Sequence, residues 1–147
     1  MNQTLVALAG FAAWTLFLSF LLLNMRAYYT FISSNKVALN NFSPDGSNTP
    51  GFGQRLTRAQ LNCIEMLAAF AALVIVASLS DQLDVMNSTI IYVLYARISQ
   101  SVIHMISTNM LAVVIRAGFW GIQLALLLFY SSQLLNNIIN VTELVIS

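Results

Sequence analysis

Charge is what this chain has least of: 7% of its 147 residues are Asp, Glu, Lys or Arg, while 59% are hydrophobic. Soluble domains carry about 25% charged residues, so a surface this poor in charge cannot face water on all sides. Intrinsic disorder is excluded by the same composition, because it requires low hydrophobicity. A single cysteine, Cys63, rules out an internal disulfide. With only one histidine, His104, a zinc site built from His and Cys is excluded as well. The net charge of +1 comes without any basic cluster, which speaks against a nucleic-acid partner. No internal repeat is evident, and that argues against a transporter built from repeated halves. Residues 1–4 carry no basic side chain, and the apolar run 5–23 exceeds the roughly 7–15 residues of a signal-peptide core. The first segment therefore reads as a spanning helix, which needs about 20 apolar residues.

Four apolar runs are present, and they predict helices at about 5–25, 58–79, 87–107 and 110–134 within one domain, 1–147. The expected class is all-α, an integral membrane four-helix bundle. Residues 33–57 contain Pro44, Asp45, Gly46, Pro50, Gly51 and Gly53, the residue types of a loop. The segment 80–88 forms a short connection, and the third break is only Ser107-Thr108-Asn109. The tail beyond Asn136 is read either as a continuation of the fourth helix or as an interfacial segment. Arg26, Lys36, Arg55 and Arg58 lie at one end of the first two helices, whereas the opposite end carries Asp81, Asp84 and Glu143 without a basic residue. The positive-inside rule then places the loop in the cytoplasm and both termini outside.

A charged residue inside a spanning helix costs at least about 2.5–3.5 kcal/mol and normally faces the bundle interior. Glu65, Arg97 and Arg116 are such residues. Arg58, Asn62 and Glu65 share one helical face by their i, i+4, i+7 spacing, and Arg97, Gln100 and His104 share another by i, i+3, i+7. Similar depths in the second and third helices lead to the expectation of a buried Glu65–Arg97 ion pair, which taken alone fits a structural lock between two helices as well as a part in a site. The three arginines nevertheless outnumber Glu65, so the cluster as a whole suits an anionic ligand bearing carboxylates or a thiolate. Cys63 reads as a packing residue, and a lone His104 would more often be a hydrogen-bonded interior residue than a catalyst.

The stretch Arg58-Ala59-Gln60-Leu61-Asn62-Cys63-Ile64-Glu65 resembles the start of the second helix in the MAPEG family, the membrane-associated proteins of eicosanoid and glutathione metabolism. The likeness is to the microsomal glutathione transferase and leukotriene-C synthase branch. Ala96-Arg97 resembles the family's Ala-Arg pair in the third helix, and Arg116 its arginine early in the fourth. The resemblance implies a homotrimer that binds glutathione as co-substrate between subunits, near the cytoplasmic face. By the same resemblance Arg58, Gln60, Asn62 and Glu65 would hold the peptide's charged and amide groups, Arg26 would reach a carboxylate, and Arg116 would stabilise the thiolate. Where family enzymes often carry tyrosines in the third helix, this chain has Gln100 and His104: the first is suited to an amide, the second to a sulfur or carboxylate.

The implied activity is glutathione conjugation to a lipophilic electrophile, or reduction of a lipid hydroperoxide, with the lipophilic partner entering from the membrane lipids. The alternative is a non-catalytic lipid-binding scaffold of the same fold. Either would reside in a bacterial inner membrane or the endoplasmic reticulum, with its site toward the cytoplasm.

Overall fold

A computed structural model describes residues 2–49 and 51–146. Pro50, one of the expected loop residues, lies outside the described residues. Among the described residues all regular elements are helical: α1 (Gln3–Phe31), α2 (Phe52–Leu79), the short α3 (Asp84–Asn87), α4 (Ile91–Ile106) and α5 (Met110–Ile146), with a 3-10 turn at Leu39–Asn41.

The composition of each segment accounts for its helix. α1 contains no proline and only Gly10 among glycines. Its first turn is held twice: the Asn2 carboxamide accepts the Thr4 N–H at 3.0 Å, and the Asn87 carboxamide accepts the N–H groups of Gln3 at 2.7 Å and Thr4 at 3.2 Å. Side-chain oxygens at a helix start satisfy donors that have no partner within the helix. Because Asn87 is committed to α1, its own segment ends there. Ser88, Thr89 and Ile90 form a turn, and α4 begins only at Ile91, where an unbroken third helix over 87–107 was expected. Asn, Ser and Thr compete with helical backbone bonding in this way. The Thr89 hydroxyl instead meets the Tyr130 hydroxyl and ties this turn to α5. α5 runs on past the expected end near 134, because no glycine or proline interrupts residues 122–147. At 37 residues it is about 55 Å long, well beyond the roughly 30 Å hydrocarbon layer.

α1 packs beside α2 and α5 beside α4, while α4 also touches α1 and α2. The core between them holds Phe11, Leu18, Leu56, Phe70, Val74, Val93 and Leu134, with the Phe11 and Phe70 rings 5.7 Å apart. Gly10 permits the close approach of α1 to α4, since a Cβ there would stand 2.7 Å from Leu94 Cδ2. In the loop, Gly46 adopts φ +73°, a conformation that side chains rarely accept, and its carbonyl takes the Thr49 hydroxyl at 2.9 Å. Asp45 caps this turn by accepting the Ser47 N–H at 3.1 Å, and that bond holds its carboxyl below the usual carboxylate range. Arg26 leaves the end of α1 with its guanidinium 5.3 Å from the centre of the Phe42 ring.

The outer surface is apolar, with Leu16 70%, Leu23 66%, Phe20 61% and Leu128 61% exposed. α1, α2 and α5 as far as Leu144 are each long and apolar enough to cross a membrane. The 16-residue α4 measures about 24 Å, somewhat less than the hydrocarbon thickness. The fold is that of an all-helical membrane protein. The contrast between inner and outer apolar residues is testable by thermal unfolding in detergent. Phe11→Ala empties a fully buried site and should cost about 3–5 kcal/mol, while Leu16→Ala on the outer surface should stay within about 0.5 kcal/mol.

Candidate functional site

The N-terminal half of α2, the C-terminal half of α4 and the start of α5 enclose a cavity of about 280 Å³. Its polar lining is Asn62, Gln100, His104 and Arg116, closed on the apolar side by Val113, Ala117 and Trp120. Asn62 lies about 15 Å along α2 from Phe52, and Arg116 about 9 Å along α5 from Met110. The spacing of four between Gln100 and His104 places both on the α4 face turned toward α5. The cavity therefore carries polar side chains at a depth where the outside of the protein is apolar.

Two contacts fix its walls. The Arg55 Nε donates to the Met105 carbonyl at 2.8 Å, pinning the last turn of α4, which carries His104, to the start of α2. The last carbonyls of a helix have no partner within it, and a cation there is favoured by the helix dipole. The Gln123 Nε2 donates to Gln100 Oε1 at 3.0 Å and to the Phe119 carbonyl at 2.9 Å, joining α5 to α4 at the inner edge of the cavity. Asn109 sets the start of α5 by accepting the Ala112 N–H at 2.8 Å.

The structure brings four of the candidate residues, Asn62, Gln100, His104 and Arg116, to one cavity and sends the others elsewhere. Gln60 is buried against α1, donating to Ser19 Oγ at 3.2 Å. Arg26 lies beside Phe42 at the loop, and Arg58 and Glu65 stand exposed on the outer side of α2. Arg97 is 1% exposed inside the bundle, with its guanidinium 5.4 Å from the Phe11 ring centre and beside Cys63.

The expected buried Glu65–Arg97 pair is thus not formed. Arg97 turns inward to α1 and α2, whereas Glu65 occupies the exposed face of α2 and acts on Arg97 only at a distance. The Arg97 Nε and Nη2 have no hydrogen-bond partner among the described residues. The aromatic face supplies the nearest compensation for its charge, an interaction of about 2 kcal/mol when desolvated. Cys63, read as a packing residue, is fully buried with its sulfur 3.3 Å from the Ser101 hydroxyl.

Arg55 and Gln123 were not legible as site residues. Arg55 counted only toward loop charge, and Gln123 is an uncharged residue inside an apolar run. Its signal was the presence of an amide in that run at all, since a buried carboxamide requires partners.

Chemically the cavity is rich in hydrogen-bond donors. Arg116 is half-buried, and its Nη1 is buried without a hydrogen-bond partner among the described residues. Among the described residues neither the Asn62 nor the His104 side chain has a hydrogen-bond partner, and the lining of the cavity contains no carboxylate. Burying a guanidinium without a counter-charge is costly, so such a space favours an anion. Groups of three or more His, Cys, Asp or Glu able to hold a metal are absent among the described residues.

The helices define a membrane protein with an open, donor-bearing cavity between α2, α4 and α5. The family model for the MAPEG family matches residues 4–136, and the chain belongs to that family. No curated protein and no solved structure matches it.

The placement of Arg97 has a measurable consequence. In a double-mutant cycle on thermal stability, Glu65→Gln and Arg97→Met should show coupling below about 0.5 kcal/mol, as for residues without a shared contact. Coupling of several kcal/mol would mean that the two side chains meet after all.

Proposed function

We propose that this protein is a glutathione-dependent membrane transferase or peroxidase acting on a lipophilic electrophile, assembled as a homotrimer of four-span protomers. The observation that carries this reading is Arg116, whose partnerless buried Nη1 belongs to a cavity shared with Asn62, Gln100 and His104. Asn62 belongs to the Arg58–Glu65 stretch that resembles the family's glutathione motif. The glutathione sulfur would lie toward Arg116, with the peptide's polar groups toward Asn62, His104 and the exposed Arg58 and Glu65.

A free thiol ionises near pH 8.5. A guanidinium a few ångströms away favours the anion and lowers that value. The thiolate then attacks the electrophilic carbon, forming a C–S bond while the electron pair goes to the leaving group or the adjacent acceptor atom. With a lipid hydroperoxide, the thiolate takes the terminal oxygen. The O–O bond breaks, the alkoxide leaves and is protonated to the alcohol, and a second glutathione condenses with the sulfenic acid to give disulfide and water.

Glu65 supports the assembly. A carboxylate exposed on a spanning helix is expensive against lipid, and a neighbouring protomer that covers it removes that cost. The loop side, with its basic residues, faces the cytoplasm in this reading.

A second reading, a non-catalytic lipid-binding scaffold, is favoured by Gln100 and His104, neither of which offers the acidic hydroxyl of a tyrosine. Titrating glutathione into detergent-purified protein, followed by an assay with an aromatic electrophile, separates the two; absence of binding ends the enzyme reading. For Arg116→Ala, the thiolate absorbance of bound glutathione should titrate near the free value of about 8.5, with affinity weakened by less than about tenfold. Arg116→Lys should rescue in part, keeping charge but losing the planar fork. Titration curves identical to wild type would remove Arg116 from this role. Native mass spectrometry in detergent should show three chains, and a monomer that retains glutathione binding would contradict the shared site.

A further inference from the structure

We infer that Gln123 is a positioning residue that locks the Gln100 side chain with its N–H donors turned into the cavity, making Gln100 a second donor to the anion held by Arg116. The identity of that anion rests on the glutathione reading; the orientation of Gln100 does not.

The argument is one of hydrogen-bond polarity. A carboxamide has one end that only donates and one that only accepts. The end of Gln123 that meets α4 also lies 2.9 Å from the backbone carbonyl of Phe119. A carbonyl cannot donate, so that end of Gln123 is its nitrogen, and its two N–H bonds go to Phe119 O and to Gln100. Gln100 must therefore present its oxygen to Gln123, at 3.0 Å. What remains of the Gln100 amide is the NH₂ group. Gln100 lines the cavity, and its nitrogen is neither bonded to another described residue nor sealed away from the cavity space.

Burial makes this arrangement rigid. Gln123 is 0% and Gln100 6% exposed, so the hydrogen bond between the two amides is shielded from water while the far side of the Gln100 amide meets the cavity. Turning Gln100 over would set its NH₂ against the Gln123 NH₂ and leave both donors unsatisfied in low dielectric, a costly state. The Phe119 carbonyl thus fixes the polarity of a group two hydrogen bonds away. Gln100 then resembles in function a fixed oxyanion donor, aligned before the ligand arrives. It occupies a position where a hydroxyl would serve as donor or acceptor, and the relay from α5 removes the acceptor option.

The test has two arms. In the first, side-chain ¹⁵N-labelled glutamines are followed by hydrogen exchange in detergent-purified protein without ligand, with Gln100→Met and Gln123→Met assigning the resonances. The Gln123 amide protons should exchange slowly and those of Gln100 fast. Protected Gln100 protons, or equal exchange at both residues, would overturn the proposal. The second arm measures glutathione binding and the thiolate absorbance against pH. Gln123→Met should weaken thiolate binding on the order of tenfold and move half-ionisation of the bound thiol up by about one pH unit. In a Gln100→Met background the same change should add nothing. Losses that multiply, or an unmoved titration curve in a folded Gln123→Met protein, would show that Gln123 does not act through Gln100. Should Gln123→Met fail to fold, Gln123→Asn, which keeps the amide but shortens its reach, is read in the same way. If wild type binds no glutathione, the proposed function falls while the exchange arm still decides the orientation.

Discussion

In hydrocarbon a polar group finds its partner within the protein or goes without, and this constraint organises every helix of the chain. Several hydroxyls of α1 and α2 return to their own helix backbone: Thr15 to the Phe11 carbonyl at 2.9 Å, Ser19 to Thr15 at 3.0 Å, and Thr57 to Gly53 at 2.9 Å. Longer polar side chains cannot be hidden in this way. Arg97, Gln100, Ser101 and His104 all belong to α4, and all four are buried. A helix so loaded is stable only where other helices cover it, and α4 is in contact with α1, α2 and α5 together. Its central place in the bundle follows from its polar face more than from its apolar one.

The spanning helices were legible because they depend on local composition alone: some 20 apolar residues must be helical in lipid whatever packs beside them. The length of α5 had a local cause too, the absence of any glycine or proline after Gly121. The turn at residues 88–90 did not, because Asn87 ends its segment by capping a helix that begins 83 or more residues earlier. A similar limit applies to the site. Helical spacing grouped Arg97, Gln100 and His104, but it could not say that Arg97 meets α1 while Gln100 meets α5. Gln60 shows the opposite case. It sits two residues from both Arg58 and Asn62, and that offset turns it to another face of α2, where it meets Ser19.

Arg97 and Arg116 are chemically identical, and their surroundings give them different work. Arg97 is 1% exposed between Phe11 and Cys63 and does not line the cavity that holds Arg116, so its charge is met by a ring face and neighbouring dipoles. Arg116 is half-buried at the wall of an open space, with one buried N–H group left over. Burial without access makes an arginine a structural element, whereas burial beside a cavity makes it a site.

The donor surplus of that cavity is the last consequence of the same constraint. Glu65, the carboxylate nearest in sequence to Asn62, lies on the outer face of α2, and the Gln100 oxygen is spent on Gln123. What faces the space is then a guanidinium, an amide NH₂ group, an asparagine and an imidazole. Donors in excess of acceptors in a low dielectric are satisfied most strongly by an anion, through charge-assisted hydrogen bonds roughly twice as strong as neutral ones. A neutral lipophile would leave all of them unpaired. Val113, Ala117 and Trp120 flank Arg116 on the same face of α5 and give the cavity an apolar lining beside these donors. A ligand ending in an anionic group would satisfy these donors and find apolar contact with Val113, Ala117 and Trp120 in the same space, which is the combination the proposed function requires.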